Sequence, residues 1–156
     1  MKILVLGPGA REHAIVKALL AENAGHEITA APGNAGIAGD VTCVSIDAND
    51  PAAATALAGE LGAELVVIGP EAPLVAGVAD AIRAKGIPVF GPNQAAAELE
   101  GSKTFAKRIM DAAGVPTGGA VKASNLVEAE AAMDEFGAPY VIKADGLAAG
   151  KGVLVS

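Results

Sequence analysis

Short apolar runs alternate along the first part of the chain with longer segments in which apolar residues recur at helical spacing. The apolar runs are KILVL (2–6), HEITAA (26–31), VTCVSI (41–46), ELVVIG (64–69) and IPVFG (87–91). Such runs are typical of strands buried on both faces of a parallel sheet. The helical segments are REHAIVKALLAE (11–22), DPAAATALAGEL (50–61) and LVAGVADAIRAKG (74–86). This alternation predicts an α/β fold with right-handed crossovers and a doubly wound, mostly parallel sheet.

The pattern changes near Pro92. The segment AAAELEGSKTFAKRIMDAAGVP (95–116) predicts one or two helices with no strand between them. After it come a weak strand, an amphipathic helix capped by Ser124 and a strong strand, which read TGGAVKA (117–123), NLVEAEAAMDEFG (125–137) and PYVIKA (139–144). We therefore expect two domains, residues 1–95 and 96–156. Because so few elements cannot bury both faces of a sheet, the second domain is predicted to be incomplete.

Composition and charge narrow the classes of partner. Apolar residues make up 52% of the chain and aromatic residues only 3%, so the core must consist of Ala, Val, Ile and Leu. A net charge of −7 argues against a general affinity for nucleic acid or an anionic membrane. The single cysteine, Cys43, allows no intrachain disulfide and fits a cytoplasmic setting, where we expect it to be a buried structural thiol. The N-terminal MKILVL is too short for a signal peptide or a membrane span.

The loops after the predicted strands are the expected ligand sites, because ligands of doubly wound sheets bind at the carboxyl ends of the strands. The first loop and helix start, GPGAREH (7–13), resembles the dinucleotide-binding fingerprint, but Glu12 stands at its third glycine. The second strand also lacks a terminal carboxylate for a ribose hydroxyl, which disfavours a nicotinamide-dependent dehydrogenase. Free amides at Gly9 and Ala10, with Arg11 beside them, can still bind one phosphate group. A plain tight turn is the alternative.

Two further loops extend this predicted site. PGNAG (32–36) places Gly33 and Asn34 after the second strand, and GPEAPL (69–74) places Glu71 after the fourth. Glu71 would meet a substrate amine or hydroxyl, or else be a solvated surface glutamate. Together the loops predict a pocket for a phosphorylated small molecule. His13 and His26 lack partners at ligand spacing and are not expected to bind a metal.

The last loop is rich in glycine and flanked by lysines. It reads VIKADGLAAGKGV (141–153), and it is not the common phosphate-binding loop, because Gly152 replaces the Ser or Thr and a strand follows. We expect a glycine-rich flap between two antiparallel strands, able to close over a triphosphate. A plain hairpin with solvated lysines is the alternative. Lys143 argues against it, because a lysine at the inner end of a buried strand needs an anion.

Several motifs together identify a family resemblance that covers essentially the whole chain. GPGAREHA, PGNAG, VIGPEAPLVAGVAD, FGPNQAAAELEGSKTFAK and VIKADGLAAGKGV are similar, in order and position, to the start of phosphoribosylamine-glycine ligases, which belong to the ATP-grasp superfamily. The resemblance implies a Rossmann-like domain followed by the start of an ATP-grasp domain. It also implies ATP-dependent joining of glycine to 5-phosphoribosylamine through a glycyl phosphate, in purine biosynthesis.

The resemblance also implies roles for individual residues. The expected ATP-binding residues are Lys103, Lys143, Gly146, Gly150, Lys151 and Gly152, and the expected substrate-binding residues are Gly9, Arg11, Gly33, Asn34 and Glu71. No side chain of this chain is expected to act as a nucleophile. Catalytic Mg²⁺, with Mn²⁺ as an alternative, is expected to have its ligands in a part of the family fold beyond this chain.

Two departures from the family pattern qualify these expectations. Family members more often have glycine at the position of Ala10 and a small polar residue or asparagine at that of Pro8. They are also much longer, so we expect this chain to be an N-terminal fragment without ligase turnover of its own. A free-standing binding module for a phosphorylated metabolite is the rival hypothesis.

Overall fold

The computed structural model describes residues 1–148 and 151–156, and these form two compact units, Met1–Ala97 and Glu98–Ser156. The first unit contains β1 (Lys2–Gly7), α1 (Ala10–Ala21), β2 (Glu27–Pro32), α2 (Ala35–Ala38), β3 (Thr42–Cys43), α3 (Pro51–Glu60), β4 (Leu65–Ile68), α4 (Glu71–Val75), α5 (Val78–Arg83) and β5 (Val89–Phe90). Helix α6 (Gln94–Gly101) spans the division, and the second unit contains α7 (Lys103–Ala112), α8 (Leu126–Phe136), β6 (Val141–Lys143) and β7 (Val153–Val155). The assignment of residues 1–95 and 96–156 to separate functional domains stays a prediction.

The first unit is built on a parallel sheet of five strands in the order β3-β2-β1-β4-β5. β1 lies at the centre, with Val5 opposite Ala30 of β2 and Val67 of β4. The chain first adds strands on one side of β1 and then on the other, so the order reverses between β1 and β4. The predicted α/β class with a doubly wound parallel sheet is confirmed.

Alternate residues of β1 supply the two faces of the sheet. Leu4 and Leu6 pack in one apolar cluster with residues of α3 and α5, and Ile3 and Val5 pack in another with Val16 of α1. The buried apolar residues in the described part of the chain are Ile, Leu, Val and Ala, together with Pro73. This agrees with a core built without aromatic side chains.

Two predicted elements of the first unit differ from the structure. The run VTCVSI forms a strand only at Thr42–Cys43, and Cys43 is half-buried rather than buried. The predicted single helix at 74–86 is two helices, α4 and α5, because Gly77 between them has a φ of 87°. A left-handed residue interrupts the helical hydrogen bonds, and glycine adopts that conformation at little cost.

Three predictions for the second unit are wrong. Residues 117–123 form no strand. The cap of α8 is Asn125, whose side chain accepts from the Glu128 N–H at 2.9 Å, whereas Ser124 uses only its backbone N–H, toward the Glu128 carboxylate at 2.7 Å. The strand that ends at Lys143 is exposed, not buried. No described residue from 98 to 156 is buried, so this unit has no apolar core of its own.

β6 and β7 pair antiparallel, with Ile142 opposite Leu154. The prediction that antiparallel strands flank the glycine-rich loop is therefore confirmed. Among the described residues, no helix combines the length and apolar character needed to cross a membrane.

Candidate functional site

The carboxyl edge of the parallel sheet gathers the predicted substrate residues of the first unit. Gly9 and Arg11 lie where β1 passes into α1, Gly33 and Asn34 where β2 passes into α2, and Glu71 at the first position of α4. Because the strands are parallel and adjacent, their following loops meet at this edge.

Arg11 and Glu71 form an ion pair there. A guanidinium nitrogen of Arg11 donates to the Glu71 carboxylate at 2.9 Å and to the Gly69 carbonyl at 2.6 Å. The pKa of Glu71 lies below its ordinary value, first because its own backbone N–H bonds the carboxylate and then because Arg11 does. Since the two side chains are 60% and 39% exposed, the pair adds little stability and mainly fixes where the two charges stand.

Asn34 holds two loops together. Its side-chain oxygen accepts from the Gly36 and Ile37 amides at 2.8 and 3.0 Å, and its NH₂ donates to the Pro8 carbonyl at 2.7 Å. Gly33 beside it has a φ of 68°, and a Cβ there would collide with the Cys43 sulfur. These contacts give both residues a structural task, and their role in binding substrate stays a prediction.

The amide of Gly9 is not free, which corrects the expectation of an open phosphate site at the start of α1. It donates to the Glu12 carboxylate at 2.6 Å. Glu12 is only 3% exposed, so a protein carboxylate already occupies the position in which dinucleotide-binding proteins place a pyrophosphate. This geometry also speaks against the dehydrogenase alternative.

A cavity of about 260 Å³ opens at the same edge. Its lining comprises Pro8, Pro32, Ile46, Asp47, Ala48, Asn49, Pro70, Ala72 and Pro73. Three of these prolines, Pro8, Pro32 and Pro70, directly precede the predicted site residues Gly9, Gly33 and Glu71. A cavity at the amino ends of the strands is much smaller, with a volume of about 10 Å³. The carboxyl edge therefore has room for a small metabolite.

The sequence reasoning missed the part of this lining that follows β3. Asp47 accepts from the Asn49 amide N–H at 2.9 Å and from its side chain at 3.2 Å, which points a carboxylate and an amide toward the cavity rim. The available signal was the polar string DAND directly after VTCVSI. Only Asp50 of this string was assigned a role, as the N-terminal cap of α3, and the structure confirms that role.

His13 ties α1 to the end of α2. Its Nε2 lies 2.7 Å from the Asp40 carboxylate, which also accepts from Lys17 at 2.7 Å. The pKa of Asp40 is lowered, first by the Lys17 hydrogen bond and then by that of His13. Among residues 1–148 and 151–156, no three His, Cys, Asp or Glu side chains are placed to share a metal ion.

In the second unit, Asp145 joins the root of the glycine-rich loop to the start of α7. Its carboxylate accepts from the amides of Lys103 at 2.7 Å, Gly146 at 3.0 Å and Thr104 at 3.4 Å, and from the Ser102 hydroxyl at 3.2 Å. The pKa of Asp145 falls well below its usual range, chiefly through the hydrogen bond from the Thr104 side chain. The sequence reasoning missed this aspartate, although it follows a strand that ends in lysine.

The predicted ATP residues lie around this junction. The Lys103 ammonium donates to the Gly146 carbonyl at 2.8 Å, which brings these two residues together. Lys143 ends β6 opposite Val153, and both Lys143 and Lys151 are exposed. The Gly152 carbonyl accepts from the Ala144 amide at 2.7 Å and closes the hairpin. Gly150 lies outside the described residues.

Comparison with known families places the whole chain. The model of the phosphoribosylglycinamide synthetase N domain matches residues 1–100, and the model of that synthetase's ATP-grasp (A) domain matches residues 101–156. The chain belongs to the phosphoribosylglycinamide synthetase family. This confirms the resemblance drawn from the loop motifs.

Curated relatives of this family match along the full chain. A phosphoribosylamine–glycine ligase from Leifsonia xyli is 74% identical over 157 residues, and one from Streptomyces coelicolor is 61% identical over 156 residues. Each match takes in 100% of this chain and 38% of the relative. The chain thus spans well under half the length of these relatives.

Solved structures agree on the fold. The phosphoribosylamine–glycine ligase of Thermotoga maritima is 36% identical, with a TM-score of 0.76, over 99% of this chain and 36% of that protein. The N5-carboxyaminoimidazole ribonucleotide synthetase of Thermus thermophilus has a TM-score of 0.73 over 98% of this chain and 40% of that one. At 20% identity, the second likeness concerns the fold alone.

Proposed function

We propose that these residues supply the substrate domain and the beginning of the nucleotide domain of an ATP-dependent phosphoribosylamine–glycine ligase. The enzyme joins glycine to 5-phosphoribosylamine in cytoplasmic purine biosynthesis and releases ADP and phosphate. Glycyl phosphate is the intermediate, and the amine displaces its phosphate. The observation that carries the proposal is the match of two consecutive family models, over residues 1–100 and 101–156.

Residues 1–95 bind 5-phosphoribosylamine at the carboxyl edge of the sheet. The cavity of about 260 Å³ suits a small sugar phosphate, and the Asp47 carboxylate at its rim can accept hydroxyl hydrogens. Arg11 supplies positive charge beside Glu71, so the edge presents both signs to a zwitterionic substrate. Gly9, Gly33 and Asn34 contribute backbone shape, since their polar groups already bond within the protein or lie in tight turns.

Residues 96–156 begin the ATP site. Lys103, Lys143 and Lys151 provide ammonium groups for phosphate oxygens, and Gly146 and Gly152 allow the connecting loop to approach them closely. Phosphoryl transfer depends mostly on positioning and charge neutralisation, so no nucleophile is required from these residues. The described residues offer no cluster for Mg²⁺, and its ligands belong to other parts of the family fold.

Titration of a protein as long as the curated relatives, carrying these residues, separates the proposal from its main rival. The rival is a free-standing module for a phosphorylated metabolite, which the cavity in the self-contained first unit favours. Calorimetric titration with ATP and with ribose 5-phosphate should show binding of both. Binding of ribose 5-phosphate without any binding of ATP supports the binding module instead.

A further inference from the structure

Glu12 is the one charged residue that the structure buries among residues 1–148 and 151–156. It lies in the first turn of α1 with 3% of its surface exposed, and its carboxylate caps the start of that helix at Gly9. A buried carboxylate is costly unless hydrogen bonds and fixed dipoles meet it. Its surroundings therefore indicate what the residue is kept for.

The Glu12 side chain reaches two neighbouring loops at once. One oxygen accepts from the Gly9 amide at 2.6 Å in the loop after β1, which holds that loop against the start of α1. The other oxygen lies against Gly69 in the loop after β4, so close that a Cβ on Gly69 would collide with it. A Cβ on Gly7 would likewise come within 2.8 Å of the Glu12 Cγ.

The loop that Glu12 touches after β4 also carries the partners of Arg11. Arg11 donates to the Gly69 carbonyl at 2.6 Å and to Glu71 at 2.9 Å. Glu12 and Arg11 are consecutive, so they hold the same loop from two sides. The position of the Glu12 carboxylate therefore sets the distance between the loops after β1 and β4. That distance in turn sets the direction of the Arg11 guanidinium.

We propose that Glu12 is a positioning residue for the sugar-phosphate substrate. It fills the anion position at the start of α1, sets the distance between the loops after β1 and β4, and leaves Arg11 as the cation that faces the substrate. This proposal rests on the proposed ligase function and adds a residue to its substrate site. Glu12 does not touch the reacting atoms, so its effect belongs to substrate affinity and not to the rate of the chemical steps.

Paired substitutions test this in a ligase that is as long as the curated relatives and carries these residues. Glu12→Gln keeps the size and an acceptor oxygen for the Gly9 amide, whereas Glu12→Met keeps the length but removes the acceptor. We expect Glu12→Met to raise the KM for 5-phosphoribosylamine about tenfold, the effect of losing one buried charge-assisted hydrogen bond. Glu12→Gln should restore the KM to within about twofold of the unchanged enzyme, because its side-chain oxygen accepts the same bond.

The control readouts separate positioning from general damage. In Glu12→Met the kcat and the KM values for ATP and glycine should stay within about twofold, since chemistry and nucleotide binding use other groups. Glu22→Met is the matched control, because Glu22 is an exposed glutamate at the other end of α1 and bonds only His26 among the contacts described. If Glu12→Met does not fold, Gly69→Ala tests the same contact from the other side, by displacing the carboxylate. It should raise the same KM.

Ribose 5-phosphate titration distinguishes failure of this proposal from failure of the ligase function. If Glu12→Met weakens the binding of ribose 5-phosphate about tenfold but the unchanged protein shows no ligase turnover, the positioning role holds and the ligase function fails. Turnover in the unchanged enzyme, with a KM for 5-phosphoribosylamine that neither Glu12→Met nor Gly69→Ala alters, overturns the positioning role alone. An equal change in every kinetic constant also overturns it, and an unchanged protein that binds no ribose 5-phosphate overturns both.

Discussion

Single residues at the carboxyl edge of the sheet bond the backbone of neighbouring loops, and this decides which of them remain available to a ligand. The Asn34 side chain donates to the Pro8 carbonyl and accepts from the Gly36 amide in α2, and the Glu12 carboxylate accepts from the Gly9 amide. The residue types and their loops were predictable, because glycine, asparagine and charged residues follow each apolar run. Their mutual contacts were not, since sequence spacing does not tell which side chain reaches the next loop.

Gly33 offers a stability test with a matched control. Gly33 and Gly62 have φ values of 68° and 59°, but a Cβ meets the Cys43 sulfur at Gly33 and nothing within 4 Å at Gly62. Gly62→Ala should cost about 1 kcal/mol through backbone strain alone. Gly33→Ala should cost a further 1–3 kcal/mol, roughly, through overpacking. Urea denaturation measures both, and equal losses would show that Cys43 moves away freely.

The ion pairs of Asp40 should make the free energy of unfolding depend on pH in the acid range. Its pKa is lowered by Lys17 and His13 from the ordinary value of 3.8, so the folded state holds this proton less tightly than the unfolded chain. The stabilisation is therefore present above pH 3.8 and is lost as the pH falls through the lowered folded pKa. Asp40→Asn should flatten the loss of unfolding free energy between about pH 5 and about pH 2. Identical pH profiles for the two proteins would contradict the pairing.

Lys143 tests the nucleotide part at the residue scale. In a ligase of full relative length, Lys143→Ala should raise the KM for ATP at least about tenfold while leaving the fold intact, because a charge-assisted contact to phosphate is lost. Lys122→Ala, in the segment before α8, is the control and should leave that KM unchanged. Unaltered ATP kinetics in Lys143→Ala would remove this lysine from the site. The structure has already removed the desolvation argument, since Lys143 ends an exposed strand.

Among the elements, those with strong periodic signals were predicted well and those set by local contacts were not. The central strands and α1 follow from their apolar patterns, because burial on both faces leaves few alternatives. The break at Gly77 and the short β3 depend on one backbone angle and on pairing at the sheet edge, which apolar spacing does not encode. The prediction that β6 is buried was wrong for another reason. An apolar strand is buried only where a second layer covers it, and β6 is exposed.

The cap of α8 is the element whose correction is easiest to check. Asn125→Ala should remove the bond to the Glu128 amide and cost about 1 kcal/mol of local helix stability. Ser124→Ala should change it by less than about 0.5 kcal/mol, because the serine hydroxyl makes no described cap contact. Hydrogen exchange of the first-turn amides of α8 measures the difference. Faster exchange in Ser124→Ala than in Asn125→Ala would restore the original prediction.

At the scale of the whole molecule, the two units differ in what holds them. The first has a sheet covered by two apolar clusters, whereas no described residue of the second is buried. This contrast accompanies a match of 38% of the length of the curated relatives. We infer that the first unit is stabilised by an apolar core of its own and that the second unit is not.

The most direct measurement is ADP release by a ligase of full relative length that carries these residues. ATP is supplied with glycine and with 5-phosphoribosylamine formed in solution from ribose 5-phosphate and ammonia, and each substrate is omitted in turn. The proposed function predicts release of ADP that requires both glycine and the sugar phosphate, with glycinamide ribonucleotide formed in equal amount. ADP release that is indifferent to glycine, or no release with all substrates present and ATP bound, would contradict it.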